Sequence, residues 1–194
     1  MGNQTSTMNE NTMGTLKLTI GCMYAGKTSR LIYTYNNAIN NGDSVIVVTH
    51  SSENRYSVDE ISTHDQNKIY CVKYTSIKSF VDNEANAIEK SDIILIDEGQ
   101  FFDDLLEVLT LVEVNKKKVH VFGLDGDFKR NKFGKILDLI PLCDSIEKIT
   151  ANCKCGNDAL FSDRTINNES QILVGSNDLY QPLCRKCYII KNQK

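Results

Sequence analysis

Proline is nearly missing from this sequence, with 2 in 194 residues. That scarcity excludes collagen-like, mucin-like and proline-rich disordered chains over most of the length. Long apolar runs are missing as well. The run at 93–96 is among the longest, far short of the ~18 to 20 residues that cross a bilayer. No basic-plus-apolar stretch opens the sequence as a secretory signal would. The expectation is a soluble cytoplasmic protein with no membrane partner. Charge of one sign is not in excess either: 22 Lys+Arg face 25 Asp+Glu, a net −3, and the lysines are scattered rather than striped. A protein whose main task is neutralising nucleic-acid phosphates looks different, so a small-molecule partner is expected. An even cysteine framework is the last absence. There are seven cysteines, an odd number that does not read as a set of disulfides, and four of them crowd into two close pairs near the C-terminus, which points to a metal.

What is present is an ordinary globular composition, 41% apolar and 24% charged. The length is enough for one domain of ~150 residues with a small appendage. Residues 1–14 are polar and aperiodic and read as a disordered tail. Gly2 and Ser6 fit a myristoylation pattern there, a short match that also arises by chance. From Thr15 onward short β-branched runs at 16–20, 44–49, 68–74, 93–96 and 119–124 alternate with amphipathic stretches at 28–40, 77–89 and 103–115. Such alternation predicts an α/β fold, a parallel sheet covered by helices. Beyond Ile149 the texture changes to cysteine pairs, turn residues and short strand-like pieces at 159–162 and 171–174. The expected division is a nucleotide-binding domain over 15–150 and a small domain over 151–194.

The strongest local signal is Gly21-Cys22-Met23-Tyr24-Ala25-Gly26-Lys27-Thr28, which matches G-x-x-x-x-G-K-[ST] between a predicted strand and a predicted helix. Glycines let such a turn curl so that its amides face a polyphosphate, and the helix N-terminus adds partial positive charge. Lys27 would reach the β- and γ-phosphates and the Thr28 hydroxyl would take one position on Mg²⁺. The bland alternative is a glycine-containing turn that binds nothing. A second signal is Asp97-Glu98 at the end of an apolar strand. From the carboxyl end of a parallel strand Asp97 can hold Mg²⁺, and Glu98 suits a general base for an attacking hydroxyl; two acids capping the next helix is the alternative. The third is Cys153-Lys154-Cys155 with Cys184-Arg185-Lys186-Cys187, 28 residues apart. Two thiol pairs close a tetrahedral site with no open position, hence a structural zinc. The first pair has one spacer residue where two are usual, which strains its turn, and two unrelated thiol pairs is the other reading. His64 and His120 have no evident partner.

Four segments, GCMYAGKT at 21–28, DEGQFF at 97–102, LDGDFKRNKF at 124–133 and GSNDLYQPLCRKCY at 175–188, resemble in order and spacing the type II thymidine kinases, cellular and poxvirus-like enzymes with a RecA-like P-loop domain and a zinc-binding lasso domain. The resemblance covers roughly residues 15 to 190. It implies ATP contacts at Gly21, Cys22, Met23, Tyr24, Ala25, Gly26, Lys27, Thr28, Glu53, Asn54, Arg55, Asp97, Glu98, Gly99 and Gln100. Glu98 would be the catalytic base, with Lys27 and Arg55 as charge stabilisers; Glu53 stands where the family usually has Asp. Nucleoside contacts are implied at Phe101, Leu124, Phe128, Phe133, Ser162, Gln171, Ile172, Leu173, Val174, Gly175 and Tyr180. Phe133 and Tyr180 would flank the thymine ring, and 171–175 would grip the base edge. Ser162 replaces a common Thr and Ser176 a common Gly. Aromatic faces do hold flat neutral pyrimidines, at ~0.5–1.5 kcal/mol per ring contact beyond area burial, although aromatic residues are more often core. Cys153, Cys155, Cys184 and Cys187 would be the zinc ligands, Thr28 and Asp97 the magnesium ligands.

The reaction so implied is Mg²⁺-dependent transfer of the ATP γ-phosphoryl group to the 5′-hydroxyl of thymidine, and of deoxyuridine, in nucleotide salvage. Feedback binding of thymidine triphosphate and a homotetramer or homodimer follow from the resemblance alone. Two rivals stand beside it. One is an ATPase or switch whose Glu98 activates water and whose zinc module is an adaptor; the other is a nucleoside-binding pseudo-enzyme. A GTPase would need N-K-x-D, and Asn131-Lys132-Phe133-Gly134 lacks the Asp.

Overall fold

A computed structural model of the chain describes residues 13–52, 60–62, 68–173 and 179–193. The tail expected over 1–14 lies outside the described residues except for its last two, and Glu53, Asn54, Arg55, His64, Val174, Gly175 and Ser176 lie outside them as well.

The β-branched runs assemble into a six-stranded sheet. Its strands are β1 (Thr15–Gly21), β2 (Val45–His50), β5 (Val72–Tyr74), β6 (Ile93–Ile96), β7 (Lys118–Gly123) and β8 (Ser145–Ile149), in the order β5-β2-β6-β7-β1-β8. Every pairing is parallel. Strands covered on both faces read as continuous apolar runs rather than alternating ones, which is why Ile94, Leu95 and Ile96 are all fully buried. Their side chains still alternate in direction. Ile94 and Ile96 join Leu16, Leu18, Val119 and Val121 in one core layer, while Leu95 joins Val47 and Phe122 in the other. The second layer is closed by helix α1 (Lys27–Asn40) through Leu31, Ile32 and Tyr35. The first is closed by α2 (Ile77–Asn83), α3 (Ala85–Lys90) and the irregular turns at 102–112 and 136–139.

The remaining strands are short. β3 (Glu60–Ser62) pairs with β4 (Lys68–Tyr70), β9 (Ala151–Asn152) with β10 (Asp158–Ala159), and β11 (Phe161–Arg164) with β12 (Tyr180–Leu183), all antiparallel. Helix α4 (Arg185–Asn192) ends the described chain. A third apolar cluster joins Ala151, Cys153, Ala159, Leu183, Cys184 and Tyr188 to Cys22 of the turn after β1.

Several elements depart from the sequence-based expectation for local reasons. The strand expected over 68–74 is two, because the fully buried Cys71 is the corner at which the chain leaves its pairing with β3 and joins β2. The helix expected over 77–89 breaks at Glu84, whose carboxylate is drawn to the Tyr74 hydroxyl at 2.8 Å. No continuous helix forms over 103–115. Asp104 spends its carboxylate on the Ile77 and Lys78 amides, both at 2.9 Å, and so caps α2 instead of starting a helix of its own; a 3₁₀ turn (Leu105–Glu107) and a π turn (Thr110–Val114) follow. The strand-like piece at 159–162 is split between β10 and β11, and 171–173 carry no strand. β8 and α4 were not expected. His120 does have partners: Thr19 Oγ1 lies 2.8 Å from its Nε2 and its ring stacks on Phe122 at 4.1 Å. No helix among the described residues is long and apolar enough to cross a membrane.

Candidate active site

The turn 22–26 links the carboxyl end of β1 to α1, and the glycine that precedes it, Gly21 at the end of β1, is a packing requirement. A Cβ on Gly21 would lie 2.3 Å from the carbonyl oxygen of Ile149 on β8. Gly26 sits at φ 86°, in the left-handed region where side chains are strained. Among the described residues α1 has no side-chain cap and no acid in its first turn, so its leading amides keep the hydrogen-bonding capacity and partial charge that suit an anion. Lys27 donates from Nζ to the carbonyl oxygens of Gly21 (3.2 Å) and Cys22 (2.8 Å). Burial pulls its pKa below the usual lysine value, opposed chiefly by Glu98, then by Cys22, Asp97 and Asp125. The two acids read from the sequence therefore act on the same ammonium, across the intervening strand β7.

Asp97 and Glu98 follow β6 directly and are 2% and 8% exposed. The Asp97 amide donates to the Val48 carbonyl oxygen at 2.8 Å, tying the turn to β2. Glu98 is held at φ 53°, a conformation that costs a non-glycine residue on the order of 1–3 kcal/mol and persists only where its surroundings impose it. Gln100 Nε2 donates to Glu98 Oε2 at 2.5 Å, while Gln100 Oε1 accepts from the Leu124 amide at 2.9 Å. One buried amide thus fixes the carboxylate and the start of the 124–133 loop together. Thr28 and the two carboxylates are hard oxygen donors, the set that Mg²⁺ takes.

The aromatic residues fall into two groups. Phe133 meets Phe101 edge-on, centroids 5.5 Å apart. Phe128 and Tyr180 are joined by a residue the sequence reading missed, Arg164, whose guanidinium carbon lies 3.8 Å from the Phe128 centroid and 5.2 Å from that of Tyr180. The Tyr188 hydroxyl on α4 holds the Phe128 carbonyl oxygen at 2.7 Å. Gln171 reaches the buried Asp127 carboxylate with its side chain (2.9 Å), and its carbonyl oxygen accepts from Arg164; the Ile172 carbonyl oxygen accepts from Ser170 Oγ at 3.0 Å. Ser162 is buried and accepts from the Met23 amide at 2.9 Å, so it ties the turn at 22–26 to β11. A signal for Arg164 and Asp163 was present, two adjacent charges just past a short strand-like run, but their partners lie far along the chain.

The four thiols of Cys153, Cys155, Cys184 and Cys187 lie within 4.8 Å of one another, with Cys155 3.5 Å from both Cys153 and Cys184. A tetrahedron of ~2.3 Å metal–sulfur bonds has edges of ~3.8 Å, so the cluster fits an ion such as zinc. The short spacer is absorbed by a turn in which Cys153 N donates to Asn157 O (2.9 Å), Gly156 N donates to Cys153 O (2.8 Å), and Gly156 takes φ 88°. Amide groups of Asn157, first its backbone N–H, pull the Cys155 thiol down, while hydrogen bonds from the neighbouring thiols, first Cys155, push Cys187 up to about 12.

The thymidine kinase family model matches residues 14–188. A thymidine kinase of Oryza sativa subsp. japonica is 41% identical over 180 residues, covering 91% of this chain and 66% of that one, and a thymidine kinase of Amsacta moorei entomopoxvirus is 41% identical over 177 residues, covering 89% and 97%. This chain thus spans about two thirds of the rice protein and nearly all of the viral one. Among solved structures, AMPPCP-bound DnaA from Aquifex aeolicus aligns over 71% of this chain and 41% of its own at 15% identity, with a TM-score of 0.42, too loose a likeness to argue from. The match from residue 14 to residue 188 takes in the phosphate turn, the buried acids and the cysteine cluster alike, and by it the chain belongs to the thymidine kinase family.

Proposed function

We propose that this protein is an ATP-dependent thymidine kinase, transferring the γ-phosphoryl group to the 5′-hydroxyl of thymidine and, since one methyl is worth only ~1–3 kcal/mol of discrimination, to deoxyuridine as well. The observation that carries the reading is the convergence of Lys27, Asp97 and Glu98, with Glu98 braced by Gln100 onto the loop that bears Phe128 and Phe133. Phosphoryl transfer asks a protein mainly for placement and charge. Turn amides and Lys27 would hold the β- and γ-phosphates. Thr28 and Asp97 would hold Mg²⁺, which supplies neutralisation of phosphate charge when bound. Glu98 would take the proton of the 5′-hydroxyl as that oxygen bonds to the γ-phosphorus and ADP leaves.

The nucleoside would lie among Phe101, Leu124, Phe128, Phe133, Ser162, Tyr180 and the 171–175 segment. Because the carbonyl oxygens of Gln171 and Ile172 already accept protein hydrogen bonds, the amides of that segment are the better candidates for the base edge. Glu53, Asn54 and Arg55 would serve the phosphate side. Cys153, Cys155, Cys184 and Cys187 would bind zinc and hold together a 151–194 module beside a 15–150 nucleotide-binding domain, with 1–14 as a polar tail. A cytoplasmic homotetramer or homodimer, feedback binding of thymidine triphosphate and no nucleic-acid partner complete the proposal.

The test is incubation with γ-labelled ATP and Mg²⁺, with and without thymidine or deoxyuridine, beside a zinc determination. Label on the nucleoside with little free phosphate is the expected result, with about one zinc per chain. Release of free phosphate alone, equal with and without nucleoside, would identify an ATPase and overturn the proposal.

A further inference from the structure

We infer that Arg164 is the positioning residue of the nucleoside pocket, the side chain that fixes the 168–171 segment and Tyr180 against Phe128. The inference rests on the thymidine site proposed above and deepens it.

An arginine offers five N–H donors in one rigid plane. Four of these are used here, and none on a carboxylate. Nη1 donates to the carbonyl oxygens of Asn168 (2.7 Å) and Ser170 (2.5 Å), and Nη2 to that of Gln171 (3.1 Å) and to the Tyr180 hydroxyl (2.6 Å). Nε is buried with no acceptor among the described residues. The residue is 6% exposed, and a charge enclosed to that degree is costly unless the surroundings meet it. The neighbouring acid is already committed, since the Asp163 carboxylate takes Gln181, Lys191 and Asn192. Carbonyl dipoles and the face of Phe128, 3.8 Å away, therefore do the work of a counter-ion.

Residues 165–173 have no strand or helix of their own, so their carbonyls need partners from elsewhere. Arg164 supplies them for three residues at once. The Lys129–Glu169 pair at 2.5 Å and the Gln171–Asp127 bond fasten the same segment to the 127–132 turn from outside, while Arg164 reaches the segment, Tyr180 and Phe128 together. Its guanidinium lies over the ring of Phe128, which Lys129 Nζ also approaches, at 5.4 Å from the centroid. Lysine keeps the charge but presents it as a point with three diverging donors, one too few for the four acceptors that Arg164 meets.

The experiment compares the full-length protein with Arg164→Lys and Arg164→Gln, measuring KM for thymidine and for ATP together with amide deuterium uptake. In both variants thymidine KM rises at least about tenfold while ATP KM stays within about twofold, and 165–173 exchanges faster while the central sheet does not. Unchanged exchange at 165–173, unchanged thymidine KM, or a parallel rise of both KM values would overturn the inference, the last by making Arg164 a support of the whole fold. Should these variants fail to fold, Tyr180→Phe removes one of the four acceptors and leaves the guanidinium in place. Faster exchange at 165–173 with a thymidine KM raised a few-fold supports the strap; unchanged exchange overturns it. If the wild-type protein places no phosphate on thymidine, the function proposed above fails, and deuterium uptake in Arg164→Lys still reads the strap independently.

Discussion

Glu98→Gln is the substitution that separates chemistry from binding at this site. The amide has the length of the carboxylate, and its oxygen can still accept the Gln100 Nε2–H that Glu98 Oε2 accepts at 2.5 Å. The brace from Gln100 to Leu124 at 2.9 Å involves the other end of Gln100 and is untouched. What disappears is one negative charge and, on the proposed mechanism, the proton acceptor. Loss of a positioned general base costs ~10²–10⁴ in turnover, about 3–5 kcal/mol in the barrier. The charge matters less for ATP. Glu98 is the strongest electrostatic support of the Lys27 ammonium, but the Asp97 and Asp125 carboxylates act in the same direction, so ATP affinity should change by less than about tenfold. The assay is steady-state transfer to thymidine with saturating ATP, beside an equilibrium titration of ATP. Turnover equal to wild type would refute the role of base. A collapse of ATP affinity matching the loss of turnover would refute the separation itself, and make Glu98 a partner of Lys27 rather than of the nucleoside.

Two other perturbations test links that the structure makes and the sequence does not. Ser162→Ala removes the partner of the part-buried Met23 amide, which costs up to ~1 kcal/mol; thermal unfolding should fall by a few degrees and ATP KM should rise, while Ser162→Thr retains both values, and an alanine variant equal to wild type in melting and in ATP KM would remove Ser162 from the turn at 22–26. His120 is pushed down to about 4, chiefly by burial. Its native pKa lies below the unfolded value of ~6.5, so the stability it contributes is full above that pH and is lost as pH falls toward 4. Between pH 7 and pH 4.5 the wild type should lose about 2 kcal/mol more than His120→Gln in denaturant unfolding, and equal losses would show that the imidazole stays accessible to protons.

How much of this was readable in advance depends on how far along the chain each cause lies. The phosphate turn, the acids after β6 and the cysteine pairs are contiguous, and their chemistry requires particular residue types at fixed spacings, so the local sequence states them. Buried parallel strands announce themselves for the same reason. β8 does not, because Ser145, Ile146, Glu147 and Lys148 are exposed at the sheet edge and carry no apolar run. The Arg164–Asp163 charge pair marks a position but not its contacts, because the partners of Arg164 are spread from Phe128 to Tyr180 and an arginine in a short strand ordinarily faces water. Gly21 has a second reason to be glycine that its local sequence does not carry. As the first glycine of the turn it was assigned to the phosphates, yet the nearest obstacle to a side chain there is the Ile149 carbonyl oxygen at 2.3 Å, one strand over in the register that pairs Gly21 with Ile149. A methyl group at that position would force β1 and β8 apart before it reached any nucleotide, so the geometry of the turn depends on an edge strand that the sequence hides.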